Sequence, residues 1–374
     1  MRPRRLDDQR VKEASSFLFF QRNRKGWVLR DERGSVIILI ALALVMLLSF
    51  AALAVDVGNV MVTKNELQNI SDAASLAATR RLGAIYESMS QEGQQAYVCD
   101  PAPLISVAQE VAAKNRAASK NIDINASDVI IGQWDGKTKT LTPSLNQPDA
   151  VRVIARRDGS ANGPVPTLIA KVFGRASTDV SARATAALTG QSTVEPGNLI
   201  PVGISNAWFL NKELFCDQVI KFYPANSPEG CAGWHVYDHW PASESYLRKD
   251  ILEGWTNGTF TSPSAKIGDK FAFTGGTLGN NTFEAFFDLF NYMKTRDGDG
   301  HDEYWTAQVV VYDSDSCSNP NGELGILGFA TVIIYNVIPP NVEITAKVIC
   351  EKVDPGRGGG GYYGTKGSIP GLVQ

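Results

Sequence analysis

Between Arg33 and Asp56 the chain runs for 22 residues, 34 to 55, without a charge or a proline: "GSVIILIALALVMLLSFAALAV". At about 1.5 Å of rise per residue a helix of that length reaches about 33 Å, enough to cross a hydrocarbon core of about 30 Å. A buried helix of a soluble protein would have to hide every side of this run, so we expect a transmembrane helix over 34–55. A cleaved signal peptide is the rival, because Ala52, Leu53 and Ala54 form an A-x-A site. The charged leader over 1–33 and the length of the run exceed what such signals carry, and an uncleaved anchor is expected. The leader holds ten Lys or Arg against five acids. By the positive-inside rule it stays in the cytoplasm, and everything from Asp56 onward is exported.

The formal net charge is −3 and no block of like charge stands out. That removes the bulk electrostatic reason for binding nucleic acid.

The stretch "AVDVGNVMVTKNELQNISDAASLAATRRL", 54 to 82, turns polar yet keeps a helical period. Val57, Val60, Leu67, Ile70, Ala74 and Ala77 recur at steps of three, four or seven, while Lys64, Asn65, Gln68, Ser71, Asp72 and Ser75 fall mostly between them. The helix is expected to continue past the membrane. Ala73, Ala74, Ala77 and Ala78 would form a low face for close packing, and Gly58 is the expected place for a bend. The anchor then doubles as a packing spine.

Residues 30 to 82 resemble the N-terminal domain of the TadG-like proteins of the Flp, or tight-adherence, pilus-assembly system. The resemblance rests on a charged "DERG", an Ala/Leu-rich span, "AVDVG" at its exit and "LQNISDAASLAA" beyond. It implies a bacterial envelope protein associated with surface pili, with a pilin-like α+β domain on the helix. Related prepilins are cut after a Gly and carry Glu at the fifth position beyond. Here the fifth residue after Gly34 is Leu39, so cleavage at Gly34 is not expected.

Downstream, "DVIIGQWDGKTKTLTP" (128–143) reads as a hairpin around an Asp-Gly turn, and "AVRVIARR" (150–157) and "TDVSARATAAL" (178–188) read as strands. "VPTLIAKVFG" (165–174) reads as a short helix stopped by Gly174. Residues 56–190 would form one α+β domain, and the turn-rich "TGQSTVEPGN" (189–198) a boundary. In 191–374, "QVIKFYP", "AQVVVYD" and "ILGFATVIIYNVI" read as strands and "TFEAFFDLFNYMK" (282–294) as an amphipathic helix, giving a second, strand-rich α+β domain that no motif places in a family.

Four of the five cysteines, Cys216, Cys231, Cys317 and Cys350, lie in that second domain, and export favours disulfides. Three pairings are possible. The expected one joins Cys216 to Cys231 across a short loop and Cys317 to Cys350 across strands, leaving Cys99 free or intermolecular.

Other apparent sites have plainer readings. His235 and His239 flank Asp238 at a spacing that would share a helix face, but the Glu of a zinc protease is missing. Asp297, Asp299, Asp302 and Glu303 offer oxygens for calcium, yet the sixth position of an EF-hand loop is Asp302 and not Gly. Larger TadG-like proteins often carry a von Willebrand A domain, but the D-x-S-x-S that such a domain needs is Asp313, Asp315, Cys317 here, without the hydroxyl ligands. In "GRGGGGYYGTKG" (356–367) Thr365 stands where a P-loop needs Gly. The three histidines, 235, 239 and 301, come with no nucleophile elbow.

The expectation is therefore a non-enzymatic, single-pass inner-membrane protein without catalytic, metal or cofactor residues. Its partners would be the lipid bilayer and other pilus-assembly or pilin proteins, with a homo-oligomer allowed and nucleic acid excluded. Its working residues would be Gly34, Asp56, Gly58, Leu67, Ile70, Ala74 and Ala77. A periplasmic or surface adhesion module is the second reading, and an envelope hydrolase the third.

Overall fold

The computed structural model describes residues 32–210, 215–223, 230–275, 278–338 and 343–374, with side chains of the first helix described from Val36. Of the basic leader, all but the last two residues lie outside this set.

One helix, α1 (Glu32–Glu87), runs for 56 residues without interruption at Gly58. Its first part is bare, with every large apolar side chain from Val36 to Phe50 exposed. None of its most apolar window is covered by protein. Further along, the surface is one-sided: Leu67, Ile70, Ala74, Ala78, Leu82 and Tyr86 are buried at steps of three and four.

The packing face is rotated from the one expected. Ala73 is exposed and Ala77 half-buried, whereas Ser71, Ser75 and Thr79 are buried. These small hydroxyls can be buried because they bond locally or to the sheet. Ser71 Oγ donates to Ala182 O and accepts from Ala155 N, both at 3.2 Å, and Thr79 Oγ1 lies 3.2 Å from Ala186 O.

The sheet on that face contains β1 (Val129–Asp135), β2 (Thr140–Pro143), β3 (Ala150–Arg157) and β4 (Val180–Ala187). Alternation along the strands turns Val151, Val153 and Ala155 of β3 and Val180 and Ala182 of β4 into the core that α1 closes. A second helix, α2 (Ala102–Ala113), packs on α1 through Leu104, Ala108 and Ala112. The segment 165–174, expected as a helix, is a two-residue strand, Val165–Pro166, followed by a single 3-10 turn, Ala170–Phe173.

The second sheet is built from β5 (Leu199–Ser205), β6 (Val219–Tyr223), β7 (Ala232–Trp234), β8 (Lys270–Thr274), β9 (Trp305–Tyr312), β10 (Asn321–Ile338) and β11 (Glu343–Ile349). Its order is β6-β11-β10-β9-β5-β7, with β8 also on β10. β5 and β9 are parallel and the other neighbours antiparallel. Helix α3 (Asn280–Met293) sets Phe283, Phe286, Leu289 and Phe290 into this core, Phe286 meeting Trp234 edge-on at 5.1 Å.

The expected boundary at 189–198 is crossed a second time. After β11 the chain returns through β12 (Lys352–Arg357), β13 (Thr365–Ile369) and β14 (Gly371–Leu372). β14 pairs with β4, so the first sheet reads β14-β4-β3-β1-β2, and Val353 is part of the first core. Residues 352–374 thus belong as much to the first unit as to the second.

Candidate functional site

At the end of the bare part of α1, Asp56 is 6 % exposed. Its carboxylate accepts the backbone N–H groups of Leu168 at 2.8 Å, Ile169 at 2.9 Å and Ala170 at 2.8 Å. Three charge-assisted hydrogen bonds fasten the loop after Val165–Pro166 to α1 at one point. The residue that ends the charge-free run is therefore a tie between helix and sheet domain.

At the other end of α1 the two units are joined. Tyr86 Oη donates to Pro148 O at 2.9 Å. Gln94 acts as a stand-in for backbone: its Nε2 donates to Val353 O at 3.0 Å, and its Oε1 accepts from Val353 N at 2.8 Å. On the far side of β12, Asp354 accepts from Thr331 Oγ1 at 2.6 Å and from Gln308 Nε2 at 3.1 Å. Gln308 also donates to Gln191 Oε1 at 2.9 Å. β12 is thus held by the first unit through the Val353 backbone and by the second sheet through the Asp354 side chain.

Lys366 of β13 completes the join. Its Nζ donates to Asp149 Oδ2 at 2.8 Å and to Glu351. Burial alone would push the ammonium's pKa down, but Asp149 and Glu351 outweigh it and hold it above the ordinary lysine value. Glu351 is also the acceptor of Tyr362 Oη.

Gly83 makes the close approach possible: a Cβ there would lie 2.0 Å from Ser368 O of β13. At Gly58 a Cβ would meet nothing within 4 Å. Gly83→Val is expected to push β13 off α1 and cost about 1–3 kcal/mol. Gly58→Ala should be neutral or gain up to about 1 kcal/mol of helix propensity. Urea midpoints of the two full-length variants in detergent check this, and equal midpoints would argue against the contact.

The expected helix residues thus divide. Leu67, Ile70 and Ala74 are buried, Ala77 is half-buried, and Gly34 lies in the helix within its described backbone.

The cysteine pairing differs from the expected one. The disulfides join Cys216 to Cys350 and Cys231 to Cys317, and Cys99 is free and buried. Strand pairing decides it. Cys216 precedes β6, which runs against β11, and Asp217 N donates to Val348 O at 2.8 Å, so Cys350 is its neighbour. Cys231 faces the end of β5, where Ser205 N donates to its carbonyl at 2.9 Å and Ser205 Oγ to Ser316 O at 2.8 Å, delivering Cys317. With Cys317 in a disulfide, the D-x-S-x-S position is closed as a metal site.

The remaining motifs have structural employment. His235 and His239 are not on a helix. His235 is sealed among Tyr237, Phe271 and Phe273, where burial pushes its pKa down to about 3, and His239 stacks on Tyr246 at 3.7 Å. His301 stands 3.6 Å from Glu92.

Asp297 accepts from Thr306 N at 2.7 Å and Asp299 accepts from Thr306 Oγ1 at 2.6 Å, so these carboxylates serve their own loop. They border a polar cavity of about 260 Å³ between the units, which Glu87, Gln94 and Asp354 also line. Burial lifts the Asp297 pKa to about 6. Among the described residues no group of three or more His, Cys, Asp or Glu is arranged to hold a metal ion. The glycine segment is packed against 190–191: a Cβ at Gly360 would lie 2.3 Å from Gln191 O.

The tie at Asp56, the β12–β13 join and Gly83 were not foreseen. Two left a local trace, Asp56 as the charge that ends the apolar run and Gly83 as a glycine within a helix.

Neither the curated proteins nor the solved structures gave a match to this chain. Two family models do match. Residues 34–81 fit the one described as putative Flp pilus-assembly TadE/G-like, and residues 92–186 fit putative Tad-like Flp pilus-assembly. The first covers α1 from Gly34 to Arg81, and the second covers α2 and β1 to β4, ending one residue before the end of β4. Over residues 34–81 and 92–186 the chain is therefore similar to Tad-like Flp pilus-assembly proteins.

Proposed function

We propose that the protein is a single-pass anchor of a Flp pilus assembly, working through protein contacts and not through catalysis. The first 22 residues from Gly34 cross the bacterial inner membrane, with the basic leader in the cytoplasm and both units exported. The observation that carries the reading is the division of one unbroken helix, bare over its apolar half and buried under a sheet over its second half. A helix so divided transmits position and load between a bilayer and a folded unit without a hinge. The join at β12 and β13 passes that load to the second unit, whose surface is then available to other assembly or pilin proteins.

A charge in the span tests the anchor. Leu44→Arg is expected to cost about 2.5–3.5 kcal/mol of insertion free energy. Alkaline extraction of membranes should then retain wild type and release much of the variant. Equal retention would count against a span over 34–55.

A further inference from the structure

The loop tied to Asp56 ends in an uncovered apolar tip. Leu168, Val172 and Phe173 are 69 %, 78 % and 78 % exposed, and the exposed cations Lys171 and Arg175 flank them. Large apolar side chains clustered this way on a folded domain ordinarily have a cover. Gly174, at φ +85°, closes the turn in a conformation that side-chain-bearing residues avoid and sends the chain back toward β4.

The place of this tip on α1 points to its cover. Ile169 and Phe173 line one crevice with Phe50 and Leu53. Those two helix residues precede the last residue of the charge-free run, Val55, by five and two positions. They lie about 7.5 Å and 3 Å below its end. A bilayer that takes in the bare part of α1 therefore reaches the level of the tip.

We infer that residues 168–175 form a second membrane contact, with Leu168, Val172 and Phe173 entering the boundary between headgroups and acyl chains and Lys171 and Arg175 at the phosphates. The inference rests on the anchor reading above. An insertion depth of about 5–10 Å is what interfacial apolar segments reach. Cations there are attracted to anionic headgroups. Its apolar surface continues directly onto the bare helix through the crevice shared with Phe50 and Leu53. The consequence is orientational. A lone span is free to rotate about its axis and to tilt, whereas a helix with a loop fastened to it by Asp56 and seated in the same leaflet presents its exported units in one attitude.

The test is a depth measurement on the full-length chain in phosphatidylcholine–phosphatidylglycerol vesicles. Val172→Cys and, as a distant control, Ser88→Cys are labelled with an environment-sensitive fluorophore. The parent chain, whose free thiol Cys99 is buried, serves as the labelling blank. Ser88 lies past the end of α1, roughly 45 Å from Asp56.

The expected result is blue-shifted emission at 172, quenched several-fold more by lipids spin-labelled near the headgroup than by lipids labelled at the chain end. Position 88 should emit as in water. Water-like emission at 172, or emission that no spin-labelled lipid quenches, from chains that survive alkaline extraction would overturn the inference and leave the anchor standing. Chains that wash off the vesicles would overturn both.

Discussion

Lys366→Met is expected to destabilise the protein by about 3–5 kcal/mol, because it removes one partner from a buried charge cluster and leaves the others without compensation. The Lys366 and Asp149 side chains are 14 % and 10 % exposed. Asp149 cannot relax into water without giving up the hydrogen bond that it accepts from Trp134 N at 2.7 Å. Glu351 is the more exposed acid and would lose less. The cost falls on the join between the units, since Lys366 comes from the returning segment, Asp149 from the residue before β3 and Glu351 from the turn after β11.

Two measurements follow from this placement. Denaturant unfolding of the full-length variant in detergent should show a lowered midpoint, and limited proteolysis should cut first within 352–374. Asp149→Asn combined with Lys366→Met should be less damaging than the sum of the two single changes, since the pair is coupled. A midpoint within the error of wild type would show that the cluster is solvated and that the join rests elsewhere.

The same segment shows what could be read from the amino-acid order and what could not. Ala150–Arg157 is legible because period-two alternation is a local signal, and α3 because its phenylalanines recur at helical steps. The change of character at Asp56 is equally local. The return of β14 to β4 has no such signal. "IPGLVQ" is short, follows glycines and pairs with residues nearly two hundred positions earlier, so only the tertiary fold selects it. The packing face of α1 was misjudged for a related reason. Ser71 reads as polar and outward, and its burial depends on the Ala182 carbonyl of β4, which no local pattern announces. Asp56 marks the end of the charge-free run in the sequence, but the three N–H groups that it holds are more than a hundred residues away.

Removing either disulfide is expected to have an effect of similar size. The Cys216–Cys350 and Cys231–Cys317 bonds close segments with sequence separations of 134 and 86. Closing loops of those lengths restricts the unfolded chain by about 4.5–5 kcal/mol each in the chain-entropy account, and measured losses run about 2–5 kcal/mol. The expected pairing, 216 with 231, would have closed a short loop and gained less. The long closures instead staple the sheet at both sides, one at the β6–β11 edge and the other where β7 leaves β5. Cys216→Ser with Cys350→Ser, and Cys231→Ser with Cys317→Ser, should each lower the unfolding midpoint of the full-length protein. Reductant should lower it in wild type toward the level of a chain carrying all four changes, and should do nothing to that chain. Because such bonds persist in oxidising compartments and are rare in the cytosol, the same experiment bears on topology. Protein recovered from intact cells with its thiols blocked before lysis should carry both disulfides if the second unit is exported. Four alkylated thiols in that unit would place it on the reducing side of the membrane and reverse the orientation drawn from the basic leader.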